Sequence, residues 1–220
     1  MQPLHRLDSS NTNHTVYPAI FLPSLNSSFW LKLFILSLFL SAIAYIYKAL
    51  ESNIYKLSEQ LPKHFILKGI ISGLIVALLL SNQIFESSIG LGSQKLLVPF
   101  SNSFDSFYFI KKLLATATSL GLGFKGGEAT PLFLIGSHAS GFIGNTVGLP
   151  IGLAAAIGFV GIYGGLAKTP LTSMLMGIEL FGKEAWFIYL LSTIIIIYFS
   201  GKKGLFSNQE WFEKIPKPFY

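Results

Sequence analysis

Cysteine is absent from the 220 residues, which excludes disulfides, thiolate metal sites and cysteine nucleophiles. Charge is scarce: Asp, Glu, Lys and Arg make up 12% of the chain, against about 25% in soluble domains. That leaves too little charge to coat a water-facing surface. With 51% hydrophobic residues and a mean hydropathy of +0.58, the chain reads as a membrane protein. Acids are the scarcer sign, 10 against 16 bases, for a net charge of +6. In a membrane protein such an excess belongs to loops that set orientation, so no nucleic-acid partner is expected. His5, His14 and His64 lack metal-ligand spacing, and no zinc motif occurs. His-Glu-x-x-His, Gly-x-Ser-x-Gly and paired intramembrane aspartates are also missing, which argues against an enzyme. Nothing implies a cofactor.

Clean hydrophobic runs of twenty residues are few. The uncharged gaps are Leu33–Tyr47 with 15 residues, Gly69–Phe85 with 17, Ala129–Ala167 with 39 and Ala185–Gly201 with 17. A perpendicular spanning helix needs about 20 apolar residues, within a range of roughly 17–25. Two gaps sit at the lower limit and one can hold two passes. Leu113–Phe124, with 12, does not span alone. The pattern predicts an all-α, polytopic integral membrane protein of short, tilted and broken helices, as in transporters with mid-membrane ion sites. Residues 1–28 are polar and rich in Asn, Ser, Thr and Pro, with no early apolar core. They are expected to form a linker or loop, and not a secretory signal.

Capping and breaker residues predict the helices. They are Phe29 to about Ser58, stopped by Pro62; His64–Leu80; Asp105–Leu120 with Asp105 as N-cap; Pro131–Thr146; Ile151–Ala167; Pro170–Phe181 behind Thr169; and Glu184–Ser200. Ser87–Pro99 reads as a short glycine-bounded segment.

The most informative stretch is Gly121-Leu-Gly-Phe-Lys-Gly-Gly-Glu-Ala-Thr-Pro131. Glycine lets backbone turn sharply and approach a ligand closely. The N–H groups of a helix start together carry about half a positive charge, so glycines ahead of one make an anion site from backbone alone. A helix–helix packing turn of small residues is the plainer reading of the same pattern. Gly121-x-Gly123-x-x-Gly126 also matches a dinucleotide motif formally, but no βαβ unit surrounds it and the P-loop Lys-Ser/Thr pair is absent. Two more breaks, Tyr163-Gly-Gly-Leu-Ala-Lys-Thr-Pro170 and Gly201-Lys-Lys-Gly-Leu-Phe-Ser207, suggest several elements converging on one point.

These residues resemble the CLC chloride channels and proton-coupled anion antiporters. Gly126-Gly-Glu-Ala-Thr-Pro131 is similar to the family's Gly-x-Phe-x-Pro signature. Lys168 and Pro170-Leu-Thr172, with Glu179 beyond, look like its basic-Ala-Pro-Leu-Thr…Glu stretch. Lys203-Gly-Leu-Phe-Ser207 sits where it has Lys-Pro-Leu-Tyr-Ser. Glu128 after the signature glycine, with Ala129 in the aromatic position, is most similar to the bacterial branch that includes fluoride/proton antiporters. The resemblance covers residues 29–207 as the second half of the inverted repeat, helices I to R in the family's lettering, with 208–220 as a tail. The first half's Gly-Ser-Gly-Ile-Pro and Gly-Arg-Glu-Gly-Pro, which carries the gating glutamate, do not occur.

What the resemblance implies is passage of a small anion, chloride or fluoride, by a voltage-gated channel or in exchange for protons. The implied anion-binding residues are Gly126, Gly127, Glu128, Ala129, Thr130 and Phe206. Phe206 replaces a tyrosine, so a hydroxyl donor is missing there. The implied partners are lipid, a second copy in a homodimer through Leu33–Tyr47 and Pro170–Ser200, and the missing N-terminal half. The implied location is a bacterial cytoplasmic membrane. A truncated, non-transporting remnant is the alternative. Two single residues have bland roles in this reading. Glu179 is expected to pair with Lys183 at i, i+4, and His138 to be a neutral, hydrogen-bonded histidine in a helix bundle.

Overall fold

The computed structural model describes residues 17–18, 20–62, 64–100, 107–202 and 204–205. Among them every regular element is helical. The α-helices are α1 (Ser27–Ser58), α2 (Phe65–Leu80), α3 (Tyr108–Gly121), α4 (Ala129–Val147), α5 (Ile151–Ala167), α6 (Pro170–Phe181) and α7 (Trp186–Phe199). Ser87–Pro99, expected as one segment, is divided among three short 3-10 helices, Gln83–Ser88, Ser93–Lys95 and Val98–Phe100, with irregular chain between them. Asp105, the expected cap of α3, lies outside the described residues. Tyr108 is the first residue of that helix.

α1 opens on Asn26, whose Oδ1 accepts the Phe29 N–H at 2.9 Å. Its 32 residues, at 1.5 Å each, reach about 48 Å, enough to cross a bilayer with some tilt. It turns Phe29, Leu33, Leu36, Leu40, Ile43 and Tyr47 inward at helical spacing and leaves Leu31, Phe34, Leu38 and Ile46 exposed. Among the described residues α1 alone combines that length with that apolarity. α2, α5 and α6, at 16, 17 and 12 residues, are shorter apolar helices.

α5 is the central helix, buried along nearly its whole length and packed on α1, α4, α6 and α7. Membrane bundles gain little from hydrophobic exclusion and depend on close backbone approach at small residues. Gly136 of α4 and Gly158 of α5 face one another so tightly that a Cβ on either would collide with the other's carbonyl oxygen. Within α4 at this contact, Ser140 Oγ donates to Gly136 O at 2.7 Å. Ile196 of α7 fits over Gly161 and Gly165 in the same way.

The ends of the short helices follow the breakers. Gly148 ends α4 at φ +70°. Pro170 opens α6 directly after Thr169, although the Thr169 side chain makes no cap bond. Gly182, at φ +101°, separates α6 from the turn at Lys183–Ala185. That break overturns the expected Glu179–Lys183 pair. Lys183 no longer continues the helix of Glu179, and Lys48–Glu51 is the one ion pair among the described residues.

α2 stands apart. Beyond Lys68 it carries no charge and is mostly apolar, yet only Ser72 is buried. A helix of that composition requires lipid or a further protein surface around it.

Candidate functional site

The glycine-rich break between α3 and α4 is built by local backbone geometry. The Phe124 N–H reaches back to Ser119 O at 3.2 Å. Gly123 takes φ +94° to allow it, a conformation that a residue with a Cβ reaches only with strain. The chain then runs irregularly to α4. The first bond of that helix is Leu132 N–H to Glu128 O at 3.1 Å, and Pro131 has no N–H to offer. The N–H groups of Glu128, Ala129 and Thr130 therefore lie ahead of the helical ladder. No side chain caps them among the described residues.

Gly126, Gly127 and Pro131 line an open cavity of about 200 Å³ bordered also by α3, the end of α2 and Ser88–Leu91. Lys112 of α3 contributes its ammonium to this wall. It is 2% exposed, donating to Ser88 O at 3.0 Å and Gly90 O at 2.5 Å. These carbonyls satisfy hydrogen-bonding capacity but leave the positive charge. Backbone donors, a buried cation and a space larger than a monatomic ion thus share one location.

Glu128 occupies the N-cap position of α4 without acting as a cap. Its Oε2 is buried and has no hydrogen-bond partner among the described residues. Lys48 and Glu51, which bond to each other at 2.8 Å, and the buried Tyr47 lie within its electrostatic reach. The Tyr47 hydroxyl is likewise buried without a partner among the described residues. The start of α4 is therefore flanked by the polar part of α1.

Of the six residues assigned from the sequence, Gly126 and Gly127 line the cavity, and Glu128, Ala129 and Thr130 form the adjoining helix start. Phe206 lies outside the described residues. Sequence reasoning missed Tyr47 and Lys112. Their signal was the interruption of apolar runs by Tyr47-Lys48 and Lys111-Lys112. His138 is 1% exposed, with Nδ1 3.0 Å from Leu134 O and its ring 4.4 Å from that of Tyr108, in line with a hydrogen-bonded histidine of the bundle.

Short apolar helices broken at glycines, with an uncapped helix start and a buried lysine beside a cavity, define the class of membrane ion-transport bundles. The comparisons narrow it. The family model described as "Voltage gated chloride channel" matches residues 7–201, and the chain belongs to that family, the CLC proteins. A curated relative from Pseudomonas syringae pv. tomato, a "Chloride/fluoride channel protein", is 37% identical over 124 residues, covering 56% of this chain and 27% of the relative. The crystal structure of a CLC-type fluoride/proton antiporter superposes with a TM-score of 0.79 at 25% identity, covering 87% of this chain and 50% of that one. The chain thus spans about half of the solved relative and about a quarter of the curated one.

Proposed function

We propose that the chain forms one half of a path for a small anion, chloride or fluoride, in a CLC-type channel or anion/proton antiporter of a bacterial cytoplasmic membrane. The observation that carries this reading is the uncapped start of α4, its N–H groups next to a cavity that also holds the Lys112 ammonium. A dehydrated anion at depth costs many kcal/mol unless polar groups surround it. Gly126, Gly127, Glu128, Ala129 and Thr130 supply donors on one side, and Phe206 is assigned to the path by the family resemblance alone. The opposite wall comes from a first half carrying the gating glutamate, the group that would take up and release the proton. A second copy of the assembly docks through the exposed faces of α1, α6 and α7, where Leu171 and Leu175 are 63% and 60% exposed, and lipid covers the remainder.

Calorimetric titration of the purified chain, co-expressed with the first half of a relative, tests this. Saturable binding of chloride or fluoride that weakens on Thr130→Val supports the proposal, and competition between the two ions identifies the substrate. Absence of binding by a folded, assembled complex refutes it.

A further inference from the structure

Lys168 is the one non-glycine residue with positive φ among the described residues, at φ 58° and ψ 36°. It is also 4% exposed. A lysine is a poor choice for a left-handed helix end and a poor choice for burial, since glycine suits the first and an apolar residue the second. Its side-chain contacts account for both. Nζ lies 2.7 Å from Gly201 O, 3.0 Å from Ser200 Oγ and 3.4 Å from Ile197 O. Ser200 N–H takes the Ile196 carbonyl at 2.8 Å, so the ammonium meets Ile197 O in the last turn of α7, which also accepts the Ser200 hydroxyl at 3.3 Å, and Gly201 O just beyond it, where a positive charge is favoured by the negative end of the helix dipole.

The chain beyond α7 returns to the same place. Gly201 turns at φ +87°, and the Leu205 N–H donates to Leu166 O at 2.9 Å. Two residues at the end of α5 therefore grip the α7 exit, Lys168 through its ammonium and Leu166 through its carbonyl. Between the two grips the backbone contains Gly201 and Gly204, which by themselves impose little order.

We infer that Lys168 is a positioning residue of the anion path. By capping α7 it fixes where the Gly204–Leu205 return enters the segment assigned to the path, without itself touching the ion. The consequence for transport rests on the function proposed above, whereas the clamp itself does not.

The test uses the full chain in lipid nanodiscs, with Lys168→Met, Lys168→Arg and Ser200→Ala, and reads hydrogen exchange at the Leu205 amide. Lys168→Met raises that exchange about tenfold while amides of the α4–α5 contact keep their protection, and Lys168→Arg stays within about twofold of wild type. In the assembly with a first half, Lys168→Met raises the half-saturating anion concentration about three- to tenfold more than it lowers the maximal rate, and Lys168→Arg restores it. Unchanged Leu205 exchange in a folded Lys168→Met chain overturns the clamp. Raised exchange with an unmoved half-saturation in a conducting assembly overturns the positioning role. Should Lys168→Met not fold, Ser200→Ala decides: exchange raised about two- to threefold supports the clamp and unchanged exchange overturns it. A wild-type assembly that conducts nothing refutes the proposed function, while Leu205 exchange still decides the clamp.

Discussion

Gly136 and Gly158 have the least tolerance of any contact described above, because each would direct a new Cβ into backbone that has no rotamer to yield. Gly158→Ala is expected to destabilise the bundle by the upper part of the 1–3 kcal/mol typical of overpacking, about 3 kcal/mol. Reversible unfolding in mixed micelles measures this, and Gly152→Ala, where a Cβ meets nothing within 4 Å, is the neutral control. Thr130 belongs to the same scale. Replacing its hydroxyl with the Val methyl removes one donor or acceptor worth about 0.5–1.5 kcal/mol, so anion affinity falls about two- to tenfold. An unchanged affinity in the assembled complex would mean that Thr130 only starts the helix.

Among the elements, α2 distinguishes a bilayer from water most sharply. Leu74 is 58% exposed near the middle of a helix with no charge after Lys68. In water, Leu74→Lys at so exposed a position changes stability within about 0.5 kcal/mol. In a bilayer the same change at a helix centre costs about 3–4 kcal/mol, the sum of the lysine penalty and the lost leucine gain. An insertion assay on α2 is expected to show the larger penalty. Element ends were the most legible part of the sequence, since Pro62, Pro131 and Pro170 act through local backbone geometry. Partners were not legible. Lys168 lies 33 residues from Gly201, and Lys112 lies 24 and 22 from its carbonyls. Nothing in local spacing distinguishes a buried lysine that caps a distant turn from one that faces water. The same gap explains the Glu179–Lys183 expectation, where i, i+4 spacing was read across a glycine that breaks the helix.

For the whole molecule, the deciding feature is one-sidedness. Gly126, Gly127 and Lys112 line one cavity beside the uncapped start of α4, and the chain spans 50% of the solved relative. Facing lipid, those groups would lie unsatisfied in a medium that provides no hydrogen bonds. The family resemblance was legible from the three motifs and their order. What forms the opposite wall was legible only as the absence of the first-half motifs, because a half-site carries no record of its complement. The most direct test is selective-electrode efflux from liposomes containing the chain alone or the chain co-assembled with a first half bearing Gly-Arg-Glu-Gly-Pro. The account predicts efflux indistinguishable from empty liposomes for the chain alone, and saturable, anion-selective efflux for the pair. Selective, saturable efflux from the chain alone would contradict it and would require a pore built from copies of this chain.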